Sequence, residues 1–142
     1  MLNYDLTEEG MALILRIMMR SPRFSKNAEY VRWRHQLSLE PGAWQCTASA
    51  RLQPPSSVPG GEFGKPDATA YEKIIVPTLV LAGADDPLRL PGYAQALAER
   101  IPDSELAVYP DCGHTPNLEH PERFTADLLS FLKRRYRQAG EP

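Results

Sequence analysis

Cysteine is scarce in this chain of 142 residues: there are two, Cys46 and Cys112. They stand far apart and form no CxxC spacing, which argues against a disulfide framework or a zinc site. Such usage fits a reducing cytoplasm. Long apolar runs are missing as well. Met11 to Met19 is broken by Arg16 and falls well short of the roughly 20 apolar residues that span a bilayer. No basic segment precedes it, so it does not read as a signal peptide, and no membrane association is expected. Positive charge is not in excess either, with 16 Lys and Arg against 18 Asp and Glu. The densest basic cluster is Lys133, Arg134, Arg135 and Arg137. It closes a predicted helix, where cations complement the helix dipole. A nucleic-acid partner would call for a broad basic face, and none is expected. No internal repeat is visible.

What is present divides into three stretches. Residues 1–52 read as helices. Thr7 is a good N-cap, followed by Glu8 and Glu9 in the first turn. Met11, Ile14, Leu15, Met18 and Met19 then recur at helical spacing. Ser21-Pro22 stops that helix, because a residue before proline avoids the α region. Asn27 caps a second helix through Tyr30, Val31, Trp33, Arg34 and Leu37. Pro41-Gly42 breaks it, and a third helix is predicted from Ala43 to Leu52. These Met-rich and aromatic faces suit packing or the lining of a substrate pocket; no cofactor is expected. Residues 53–68, with Gln53-Pro54-Pro55-Ser56-Ser57-Val58-Pro59-Gly60-Gly61, have the composition of a linker.

Residues 69–142 alternate strand and helix. Ile74 to Leu81 is a continuous apolar run with β-branched residues, which predicts a strand buried on both faces. Pro91 is expected to open a helix that turns Tyr93, Ala94, Leu97 and Ala98 inward. Leu106 to Tyr109 is a second strand. Pro121 opens a last helix with a stripe of Phe124, Leu128, Phe131 and Leu132. This order implies an α/β fold with parallel strands and helices packed on the sheet. Two strands cannot complete such a sheet, so neighbouring strands are expected outside this chain.

In open α/β sheets, ligand sites gather at the carboxyl ends of the strands. Two polar turns lie there. One holds Asp85 and Asp86, the other His114. A carboxylate bonded to one ring nitrogen fixes the imidazole tautomer and stabilises the imidazolium formed when the other nitrogen takes a proton. Asp86 and His114 are candidates for one such pair, with Asp85 as the competing acid. Gly113 before the histidine suggests an unusual backbone angle or a bare approach to a ligand. His35 and His120 read as structural, Glu119 as a brace for the loop before the last helix, and Cys112 as a small buried filler. No metal site is expected.

Val-Pro-Thr-Leu-Val-Leu-Ala-Gly-Ala-Asp-Asp-Pro-Leu, followed by Pro-Asp-Cys-Gly-His-Thr-Pro-Asn-Leu-Glu-His-Pro-Glu-Arg-Phe, resembles the C-terminal part of α/β-hydrolases over residues 73–135. The resemblance implies that Asp86, and not Asp85, is the catalytic acid and His114 the histidine, 28 residues apart as is usual in the family; Asp85 is then read as capping the turn or facing solvent. Residues 1–52 are similar to the helical cap over the active site, loosely to that of carbon–carbon bond hydrolases of aromatic degradation. Those enzymes often carry tryptophan after the histidine, where this chain has Thr115. Residues 69–142 would then be the C-terminal part of the hydrolase core.

The family's nucleophile stands in a G-x-S-x-G elbow ahead of the acid and histidine. None of the eight serines has flanking glycines at two residues on either side. The expectation is therefore a C-terminal portion of a Ser-His-Asp hydrolase acting on an ester or similar bond, with the nucleophile elsewhere and the isolated chain inactive. Its partners would be a small-molecule substrate and the N-terminal remainder of the hydrolase or another strand-pairing partner. Two alternatives stand beside it. One is a non-catalytic scaffold domain derived from a hydrolase. The other is a relative of the epoxide hydrolases and dehalogenases, which use an aspartate nucleophile.

Overall fold

Local signals set the helical boundaries. In the computed structural model, which describes residues 4–43, Cys46 and 69–140, α1 spans Glu8–Met18 and is capped by Thr7, whose side chain accepts the Gly10 N–H at 2.9 Å. A short α2 covers Pro22–Ser25, a turn the sequence pattern does not announce. Asn27 caps α3, Ala28–Leu39, by accepting the Tyr30 N–H at 3.0 Å. The stripe on α1 faces inward: Met11, Leu15 and Met19 are buried with Tyr4 and Val31, and Ile14, Met18, Phe24 and Leu118 pack around them. The Tyr4 hydroxyl holds the α3 side of this cluster through His35 Nδ1 at 2.8 Å and Ser38 Oγ at 2.6 Å. The predicted third helix lies outside the described residues apart from Ala43 and Cys46, which are both helical, and the predicted linker lies wholly outside them.

The second half opens with a 3-10 turn at Tyr71–Lys73. β1 is Thr78–Gly83, α4 Tyr93–Arg100, β2 Ser104–Tyr109, α5 Pro116–Glu119 and α6 Pro121–Gly140. The strands pair in parallel, with Thr78 opposite Ser104 and Gly83 opposite Tyr109. β1 begins only after Pro77, which has no N–H for a ladder. Ile75 and Val76, expected in the strand, are 93% and 60% exposed. Nor is β1 buried on both faces: every one of its residues is half-buried, because among the described residues it has a single neighbouring strand. The helix expected at Pro91 starts two residues later, with Gly92 as N-cap at φ 79°, a left-handed angle that glycine tolerates best.

Packing brings α4 against both strands and α5 against β1. The basic end of α6 reaches back to the start of β2. Arg135 pairs with Asp103 at 2.7 Å and Glu105 at 3.2 Å, and Arg134 pairs with Glu105. Phe131 is buried as expected, whereas Leu132 is 37% exposed and falls off the stripe. Among the described residues no helix is long and apolar enough to cross a membrane.

Candidate active site

Both polar turns leave the same end of the parallel ribbon, and their main chains are joined before their side chains meet. The Ala84 N–H donates to the Tyr109 carbonyl at 2.8 Å, and the Asp85 N–H to the Cys112 carbonyl at 2.9 Å. Such contact is possible because glycines stand where the chains touch. A Cβ at Gly83 would lie 1.9 Å from the Gly113 carbonyl oxygen. A Cβ at Gly113 would lie 2.4 Å from the Met18 carbonyl oxygen. Gly113 is thus needed for closeness to α1. The unusual backbone angle expected there falls instead on Asp111, at φ 50°.

On this frame Asp86 Oδ2 sits 2.8 Å from His114 Nδ1. The side chains are 14% and 32% exposed, so the carboxylate is largely withdrawn from water while the ring keeps an open face. The other carboxylate oxygen, Oδ1, accepts the Leu88 N–H at 2.9 Å, which fixes the acid's rotamer within its own turn. His114 Nε2 makes no hydrogen bond among the described residues. An imidazole held at Nδ1 by a carboxylate carries its proton there and leaves Nε2 as the acceptor. This arrangement can take a proton from a nucleophile and return it to a leaving group.

The remaining candidates separate cleanly. Asp85 pairs with Arg20 at 3.6 Å and makes no hydrogen bond to the ring, both side chains of the pair being substantially exposed. His35 bonds Tyr4, and His120 bonds the Asp111 carbonyl at 3.4 Å beside the Tyr109 ring. Cys112 is fully buried. Burial, aided by the nearby Glu119 carboxylate, pushes its thiol up to about 12, which suits an inert filler and not a nucleophile. Among the described residues no group of three or more His, Cys, Asp or Glu is placed to hold a metal ion.

Two features of the site are absent from the sequence reading. Glu119 reaches beyond its own loop to the backbone of Ser21, 98 residues away, at 2.8 Å. The Thr115 hydroxyl, next to His114, is buried without a hydrogen-bond partner among the described residues. A cavity of about 340 Å³ opens beside the acid turn, lined by Ala82, Asp86, Leu90, Tyr93 and Val108 among others. A second, of about 230 Å³, lies between the end of α1 and the same turn, lined by Arg16, Ile17, Arg20, Asp85 and Pro87.

The sequence profile of the Alpha/beta hydrolase family matches residues 5–128. The chain belongs to that family. It is 32% identical over 136 residues to the 2-hydroxy-6-oxo-6-(2'-aminophenyl)hexa-2,4-dienoic acid hydrolase of Metapseudomonas resinovorans, covering 94% of this chain and 44% of the relative. A pimeloyl-[acyl-carrier protein] methyl ester esterase of Nitrosospira multiformis is 35% identical over 60 residues, covering 42% of this chain and 23% of the relative. Among solved structures, a serine hydrolase involved in carbazole degradation superposes with a TM-score of 0.74 at 30% identity, covering 92% of this chain and 48% of that one. The chain thus spans less than half the length of these relatives. The expected fold, a partial α/β-hydrolase with helices ahead of two parallel strands, is the fold found.

Proposed function

We propose that Asp86 and His114 are the acid and histidine of a Ser-His-Asp hydrolase, and that its serine lies outside the 142 residues of this chain. The observation that carries the reading is the 2.8 Å contact between Asp86 Oδ2 and His114 Nδ1, with the ring half-open beyond it. Nε2 takes the serine proton as the hydroxyl adds to a substrate carbonyl. The imidazolium, stabilised by Asp86, then returns that proton to the leaving group. A water molecule repeats the cycle on the acyl intermediate. The substrate class is an ester or an activated bond next to a carbonyl, a chemistry supported by the names of relatives that hydrolyse a dienoic acid and a methyl ester. Residues 1–52 act as the lid over that site, and 69–142 as part of the core. Only two cysteines, with Cys112 sealed in the interior as a thiol, suit a cytoplasmic location.

The test is complementation. The chain alone is expected to release no product from a chromogenic ester. Mixed with a separately made segment that carries a G-x-S-x-G elbow and its strands, it should form a stable complex and gain activity, and His114→Ala should abolish the gain. Activity in the lone chain that disappears on substituting one of its own serines would overturn the proposal. So would complemented activity that survives His114→Ala.

A further inference from the structure

Glu119 is the single charged residue that is buried among the described residues, at 7% exposure. Nothing in the acid–histidine chemistry uses it. Its two oxygens face in different directions. Oε1 accepts the Gly113 N–H at 2.9 Å, and Oε2 accepts the Ser21 N–H at 2.8 Å. The first donor adjoins His114, and the second lies just past the end of α1. A third link runs beside these two: the His114 N–H donates to the Met18 carbonyl at 2.7 Å. Carbonyls in a helix's last turn lack partners within the helix, so the histidine loop completes the end of α1. The Cys112 thiol lies 3.9 Å from Oε1 and closes the remaining side.

We propose that Glu119 is the positioning residue of the site, a carboxylate that locks the backbone carrying His114 to the end of α1 and so fixes where the imidazole meets Asp86. The inference rests on the acid–histidine reading and deepens it. An acceptor on both oxygens is what a carboxylate supplies. Glutamine offers one accepting oxygen, and its NH₂ opposes one of the two N–H donors. Glu119→Gln therefore keeps size and breaks half of the clamp. Ser21→Pro removes the other partner without touching Glu119, since Ser21 has φ −72°, an angle the proline ring adopts.

The experiment is amide hydrogen exchange on the full chain by NMR, read together with the low-field proton of the His114 ring. Wild type is expected to show protected amides at Ser21, Gly113 and His114 and a hydrogen-bonded Nδ1–H signal. In Glu119→Gln those amides should exchange at least tenfold faster and the ring signal should broaden or vanish, while amides of Val80 and Ala107 in the strands keep their protection. Ser21→Pro should give a smaller change of the same kind, and it carries the test if the glutamine variant does not fold. Equal exchange at Gly113 and His114 in wild type and variants, whether fast or slow, overturns the proposal. Faster exchange with an unaltered ring signal overturns it too, because the clamp would then be local and the histidine independent of it. A wild type with protected amides but no ring signal sinks the Asp86–His114 pairing, and the positioning role of Glu119 falls with it.

Discussion

The helical region and the strand region of this protein are held together in different ways. Tyr4, Met11, Leu15, Met19 and Val31 form a closed apolar cluster, and Leu15 retains only 2% exposure. Among the described residues the strands build no such cluster, although Tyr109 at the end of β2 is fully buried. Every residue of β1 is half-buried, and Val108 on β2 is 44% exposed. Yet the candidate site stands on the strands. Its turns are braced from the other region, through Met18, Ser21 and the Arg20–Asp85 pair. The lesson is that the chemical groups and the packing that steadies them come from different parts of the chain. Four outcomes would break or sharpen that contrast.

The largest effect is expected from Leu15→Ala. Deleting a buried leucine side chain costs about 2–5 kcal/mol. If the helical cluster steadies both regions, urea unfolding followed by helix signal and by strand amide exchange should shift together. Loss of the helices with unchanged strand protection would show two independent regions. Gly83→Ala comes next. A methyl 1.9 Å from the Gly113 carbonyl must push the two turns apart, at about 1–3 kcal/mol, the usual range for overpacking. Chemical-shift changes should concentrate in residues 84–86 and 112–114 and spare α3.

Alkaline pH tests the strand region alone. Burial first, then the hydrogen bond to Asp127, pushes Tyr109 up to about 12 from an ordinary 10.0. Burial pushes Cys112 to about 12 from 9.0. Both groups stay neutral longer in the folded chain than in the unfolded one. The unfolded state therefore loses its protons first and is favoured as pH rises. Their contribution to stability is complete below about pH 9 and should fall between there and pH 12, as read by denaturant midpoints along a pH series. Cys112→Ala should move the onset of that fall from about pH 9 toward 10. The smallest change is expected for Arg20→Ala. The pair with Asp85 is exposed on both sides, so its loss should cost no more than about 1 kcal/mol and vanish in high salt. A larger, salt-independent loss would mean that this contact carries the bracing assigned to Glu119.

How much of this was legible in sequence depends on the distance over which each feature acts. The caps Thr7 and Asn27 were legible because capping is settled within three residues. The inward face of α1 was legible because period suffices. The start of β1 was not: Ile75 and Val76 continue the apolar run, and only pairing with β2 shows that the strand waits until Thr78. The two turns and His114 were legible because parallel strands deliver their following turns to one end, whereas the choice of Asp86 over its neighbour Asp85 came from the family resemblance. That Asp85 would turn toward Arg20 had no local signature. Glu119 could be read as a brace for its own loop, but its bond to Ser21 depends on the fold bringing residues 98 apart together. Gly113 stands out in sequence as a point of backbone freedom, but the crowding by α1 that requires a glycine there leaves no trace in local sequence.

One consequence follows from the hydrogen bonds linking Ala84 to Tyr109 and Asp85 to Cys112. Cross-tied in this way, the two turns form one rigid tip. Bending elsewhere would carry the Asp86 carboxylate and the His114 imidazole along as a unit, so their 2.8 Å spacing is insulated from movement of the rest of the chain.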